Sequence, residues 1–207
     1  MRQTESMALG FGIGSMLFGA GSVLALCDVA PLIANVVYAI GAVFFTTAAA
    51  VQWQQAADYR PVQPWKDADW LASVIQFVGT LCFNVMTIRG VILAADPSRL
   101  PYGRVWTPDV VGSAMFLISS WIAWRPQVRR HRHEVMGDRS RLICLANLIG
   151  SIFFAVSAWG AMLRPSGDLT SVYWASMGTL LGAIGFLVAS IALFPRKGER
   201  AEATPSA

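Results

Sequence analysis

The chain predicts an all-α membrane protein: six transmembrane helices forming three hairpin repeats that insert the same way round and close into a pseudo-threefold bundle. Three observations carry this expectation. Hydrophobic residues make up 55% of the 207 positions and charged residues only 14%, against about 25% charged in a soluble domain. The apolar residues fall into six blocks long enough to cross a hydrocarbon core of about 30 Å, which takes roughly 20 helical residues. A short motif, glycine followed four positions later by phenylalanine, recurs once in each block.

The first block, 7–27, holds "GSMLF" from Gly14 to Phe18 and adds Gly10, Gly19 and Gly21, so its contacts are expected to be the closest. Arg2 precedes it, but Glu5 interrupts the basic region and no small-x-small cleavage pattern follows, which favours a retained helix over a cleaved signal. Leu26 stands where a lipoprotein signal needs a small residue before Cys27. The second block, 31–53, holds Gly41 and Phe45. The third, 70–93, holds Gly79 and Phe83, and also the most polar residues, Gln76, Thr80, Asn84 and Thr87. The fourth, 108–124, holds Gly112 and Phe116, with Asp109 at its start. The fifth, 142–163, holds Gly150 and Phe154, and the sixth, 172–194, holds Gly182 and Phe186. Continuous apolar runs read as helices, because backbone groups have no water to bond in lipid; a β-barrel would alternate. Residues 195–207 are polar and small and read as a disordered tail of a single membrane domain, 1–207.

The motif extends to a small or hydroxylated residue four positions after each phenylalanine: Ser22, Ala49, Thr87, Ser120, Ala158 and Ser190. Offsets of 0, 4 and 8 lie along one helix face. Each helix thus presents a stripe of glycine, phenylalanine and a small residue, and small residues let backbones approach closely in lipid. Steps between motif glycines are 27, 38, 33, 38 and 32 residues. Short and long alternate, so the unit is a hairpin, with repeats at about 7–53, 70–124 and 142–194. An even number of spans per unit makes these parallel repeats.

Basic residues set the orientation. Twelve fall on one side: Arg2, Arg60, Lys66, Arg125, Arg129, Arg130, Arg132, Arg139, Arg141, Arg196, Lys197 and Arg200. Three fall on the other: Arg99, Arg104 and Arg164. The positive-inside rule puts both termini in the cytoplasm. The tryptophans fall near predicted span ends, as an interfacial belt does. The Arg125–Arg141 segment reads as a topology anchor attracting anionic headgroups, about 1 kcal/mol per basic residue near the surface. Nucleic-acid binding and a metal site at His131, His133 and Glu134 are the readings weighed against it. No further ligand stands at a defined spacing, and the positive charge follows from topology alone.

The segments "GSMLFGAGSVL" and "YAIGAVFFTTAAAVQW" resemble the small bacterial two-helix hairpins called YrhK-like. "VIQFVGTLCFNVMTIRGV" and "RVWTPDVVGSAMFLISSWIAW" resemble longer inner-membrane proteins carrying such hairpins in tandem, over about Ala8 to Phe194. The resemblance implies a multi-pass protein of the bacterial cytoplasmic membrane. It implies no activity, cofactor or functional residue.

Two functions are consistent with these residues. The first is a non-catalytic bundle that meets lipids, a membrane-protein partner or its own copy. The second is a transporter or channel whose cavity is lined by Gln76, Thr80, Asn84 and Thr87, which share one face of the third helix. The bland reading of that face is hydrogen bonding between helices, about 0.6 kcal/mol per bond. Arg89 lies about 28 Å along its helix from Trp70, so it reads as an interfacial anchor, with Asp109 as a candidate ion-pair partner. An enzyme needs converging acid, base, nucleophile or metal ligands. The histidines sit only in the basic loop, while Asp28, Asp96, Asp109 and Asp168 lie on the outer loops or span ends with no histidine on that side, so no catalytic, cofactor or metal residues are expected.

Overall fold

The computed structural model describes residues 2–58, 63–130 and 138–195. These form six helices: α1 (Arg2–Leu26), α2 (Pro31–Asp58), α3 (Ala68–Ala95), α4 (Gly103–Arg130), α5 (Asp138–Gly160) and α6 (Val172–Leu193). Five are long and apolar enough to cross a membrane; α4 is outside that set. Pro108, Asp109, Ser113, Ser119 and Ser120 dilute its apolar stretch. The helices also outrun the apolar blocks, α2 and α4 by five or more residues at their polar ends, because a helix continues past the apolar run until a cap stops it.

Local chemistry sets the helix ends. Pro31 opens α2, where a missing N–H has no intrahelical partner to lose. The turn before it holds Asp28 and Ala30 at φ of 53° and 47°, a region non-glycine residues enter rarely. Asp67 caps α3, its side chain accepting from the Trp70 N–H at 2.8 Å. Ser171 caps α6, accepting from the Trp174 N–H at 3.2 Å. Arg139, at the start of α5, donates from Nε to the Ala192 carbonyl at 2.6 Å and from a second nitrogen to the Phe194 carbonyl. It thereby satisfies end carbonyls of α6.

Each helix packs against its sequence neighbours, and α6 returns to α1, so the six form a closed ring. Ser190 closes it, its Oγ donating to the Ala8 carbonyl at 2.6 Å. The chain runs up and down, which puts the start of α1 and the end of α6 at one end of the bundle. We call this the terminal end and the opposite one the distal end.

Motif glycines meet inside each hairpin. A Cβ on Gly41 would lie 3.2 Å from the Gly14 carbonyl, one on Gly112 3.1 Å from the Gly79 carbonyl, and one on Gly182 3.0 Å from the Gly150 carbonyl. The closest backbone approach is not at α1. In α6, a Cβ on Gly178 would stand 2.7 Å from the Ser157 nitrogen, and one on Gly185 2.8 Å from the Gly150 Cα. Gly19, on α1, has nothing nearer than Leu180 at 3.8 Å. The expectation for the first helix fails because Gly21 faces the Tyr38 side chain, Gly19 has only Leu180 in reach and Gly10 comes no nearer than 3.2 Å to backbone, at the Phe44 carbonyl, whereas the extra glycines of α6 meet the backbone of α5 below 3 Å.

The six motif phenylalanines fill the axis. Phe18, Phe83 and Phe154, from α1, α3 and α5, form a triangle with centroid distances of 6.3, 5.7 and 6.0 Å. Phe45, Phe116 and Phe186, from α2, α4 and α6, form a second with distances of 6.3, 5.5 and 5.6 Å. The triangles stack through the within-hairpin pairs Phe18–Phe45, Phe83–Phe116 and Phe154–Phe186, at 5.5, 5.0 and 5.5 Å. Tilted and edge-on pairs of this kind are each worth about 0.5–1.5 kcal/mol beyond their burial.

Around this plug the interior is small and hydroxylated. The six small residues of the motif are all buried. Buried hydroxyls bond carbonyls one turn back, as Ser22 does to Phe18 at 2.8 Å and Thr87 to Phe83 at 2.9 Å. Branched aliphatics point outward instead: Ile33 is 57% exposed, Ile88 56% and Ile191 63%. A soluble bundle buries such residues; here they clothe the surface.

Candidate functional site: a cavity at the distal end

The four polar residues of α3 do not line one cavity. Thr80 is buried and donates to the Phe77 carbonyl at 2.6 Å. Thr87 is buried against its own helix. Asn84 faces α2, donating to Thr46 Oγ1 and to the Thr80 carbonyl. Gln76 accepts from Ser119 at 3.4 Å and borders a recess of about 90 Å³ at the terminal end. That helix face is divided between the seam with α2, the seam with α4 and bonds within α3 itself, so the expected common lining is not formed.

Arg89 does not pair with Asp109. Its guanidinium donates to the Arg104 carbonyl at 2.9 Å, on the outside of the α3–α4 seam. Arg104 is five residues before Asp109, about 7.5 Å along the helix, and Asp109 turns inward instead. In the basic segment, Arg125 lies 5.9 Å from the Trp121 ring. His131, His133 and Glu134 lie outside the described residues.

Asp109 leads to the site that sequence reading missed. At the distal end a cavity of about 290 Å³ is lined by residues from all six helices. Its floor is the Phe18–Phe83–Phe154 triangle, so the upper face of the plug is the bottom of the cavity. Tyr38, Tyr102 and Trp106 form much of the wall. Each is fixed by its polar tip: Tyr38 Oη donates to Ser22 Oγ at 3.1 Å, Tyr102 Oη to the Ala161 carbonyl at 3.0 Å, and Trp106 Nε1 to the Ala158 carbonyl at 2.9 Å. Pinned in this way, the rings turn apolar surface to the cavity.

The polar groups inside are few. Asp109 is the only charged residue among the described lining, and Ser113, one turn on, donates to the Phe154 carbonyl at 3.3 Å. Asn35 donates from Nδ2 to the Pro31 carbonyl at 2.8 Å. Its Oδ1 lies over Gly90, where a Cβ would come within 2.5 Å of it, so this glycine makes room for an acceptor. Ser157 Oγ bonds the Ala175 carbonyl and Thr179 Oγ1. Burial and the nearby Asp109 carboxylate push the Tyr102 phenol up to about 12, so Tyr102 stays a neutral donor at physiological pH.

Sequence did hold a signal for this site. Tyr102, Trp106, Asp109 and Ser113 follow one another by four, three and four residues, the spacing of one helix face. The signal is weak because Tyr102 and Trp106 precede the apolar block at 108–124, so the face straddles its edge. The fold and cavity together define a class: an all-helical six-helix bundle, five of its helices apolar enough for a membrane, with a mainly apolar pocket at one end. Comparison of the chain with protein-family models, characterised proteins and solved structures finds no match.

Proposed function

We propose that the protein is a multi-pass membrane protein of the bacterial cytoplasmic membrane, with both termini cytoplasmic and the cavity opening outward. All six helices span, as three pseudo-threefold hairpins of YrhK-like type. It acts as a non-catalytic binding or accessory bundle, not as a through-pore. The observation that carries this reading is the double phenylalanine triangle. It occupies the axis between the distal cavity and the recess beside Gln76, leaving a pocket with a floor. The aliphatic outer surface supports lipid contact. The repeated glycine contacts inside the hairpins support the threefold arrangement. Headgroup binding at Arg125–Arg141 stays part of this proposal on sequence grounds, as does contact with a partner or a second copy.

A transporter reading draws on the same cavity, with the plug parting to admit a bound solute to the other side. Thiol accessibility separates the two. In a variant with Cys27, Cys82 and Cys144 replaced by alanine, Ser176→Cys should react with a membrane-impermeant maleimide added outside only. Gln55→Cys, at the terminal-end groove, should react from the cytoplasmic side only. A Ser176→Cys thiol labelled from both sides would overturn the closed bundle in favour of transport.

A further inference from the structure

We infer that the distal cavity binds an alkylammonium group, with Asp109 as its counter-charge. This rests on the pocket reading above and names its ligand class. Three observations converge.

The first is charge. Asp109 is the only charged residue among the described lining, and it makes no ion pair among the described residues. The nearest arginine on the facing helix, Arg89, is held on the outside by the Arg104 carbonyl. A carboxylate in such a place carries a desolvation penalty, which a bound cation offsets.

The second is the wall. Tyr38, Tyr102 and Trp106 are locked by their polar tips and line the same cavity as the carboxylate. Ring faces attract a desolvated organic cation, most strongly in aromatic cages that hold substituted ammonium groups. The third is the floor. The phenylalanine triangle and Met86 give an apolar bed that suits carbon substituents. The Asn35 Oδ1 adds a second acceptor, with one N–H of the same amide held by the Pro31 carbonyl. A hydrated metal ion wants six or more oxygens, and an anion would meet the carboxylate; neither fits this lining.

The ammonium can arrive on a free small cation or on a lipid headgroup. The test uses the full chain in nanodiscs of phosphatidylglycerol, titrated calorimetrically with choline and with its uncharged isostere 3,3-dimethyl-1-butanol. Choline should bind at least tenfold more tightly than the alcohol, and Asp109→Asn should abolish that preference. The comparison within the unmodified protein needs no variant, so it holds even if D109N misfolds. If the ammonium comes on a lipid, nanodiscs containing phosphatidylcholine should raise the thermal midpoint of the unmodified protein but not of D109N, and should weaken binding of free choline. Equal binding of choline and the alcohol would overturn the proposal. So would a D109N protein that keeps the preference, or no binding of choline together with no lipid effect. None of these results touches the thiol-accessibility outcome, so the pocket and its ligand class fail separately.

Discussion

Gly178 and Gly19 differ by a single measurable distance. A methyl on Gly178 would meet backbone atoms of α5 at 2.7–2.8 Å, whereas one on Gly19 has Leu180 at 3.8 Å. Gly178→Ala should therefore lower stability by about 1–3 kcal/mol, the usual result of overpacking, and Gly19→Ala should leave it nearly unchanged. Thermal midpoints in one detergent check both; equal midpoints would contradict the close approach of α5 and α6. Asn84→Leu removes a single interhelical bond to Thr46 and should cost about 0.6 kcal/mol, with no effect on ligand binding, because Asn84 does not border the distal cavity. Asp109 and Arg89 mark the limit of residue-by-residue reading. Their positions suggested a pair, yet which way each side chain turns depends on helix rotation, and rotation is set by packing around the whole ring.

At the scale of elements, the glycine–phenylalanine stripe was fully legible as a period on each helix. Its consequence in three dimensions was not. Phe18, Phe83 and Phe154 meet at one depth and Phe45, Phe116 and Phe186 at the next because alternate helices run in opposite directions, which displaces the same motif along the axis. The cavity above them was invisible as a unit, since Asn35, Asp109, Ser157 and Thr179 come from four helices and share no motif. Arg139 ties α5 to α6 through the carbonyls of Ala192 and Phe194. A charged hydrogen bond is worth about 1.5–3 kcal/mol, so Arg139→Ala should speed hydrogen exchange in the last turn of α6 by about tenfold or more. Amides in the middle of α6 should keep their rates. An unchanged last turn would show that other contacts hold that end.

For the whole molecule, composition made the helices and their apolar surface legible, and each helix packs against its sequence neighbours around the ring. The balance between a sealed bundle and a pore could not be read from sequence, because it turns on whether six rings fill an axis or line it. They fill it. Replacing the upper triangle with alanines removes packing worth about 3–5 kcal/mol per phenylalanine and deepens the cavity toward the lower triangle, so Phe18→Ala/Phe83→Ala/Phe154→Ala should unfold at markedly lower temperature. A midpoint equal to that of the unmodified protein would mean the rings are not packed as described. The most direct measurement of the closed axis is flux through reconstituted liposomes, with potassium and choline as test solutes. A plugged axis gives the unmodified chain rates equal to those of protein-free vesicles; specific uptake of either solute by it would show that the rings part to let a solute through.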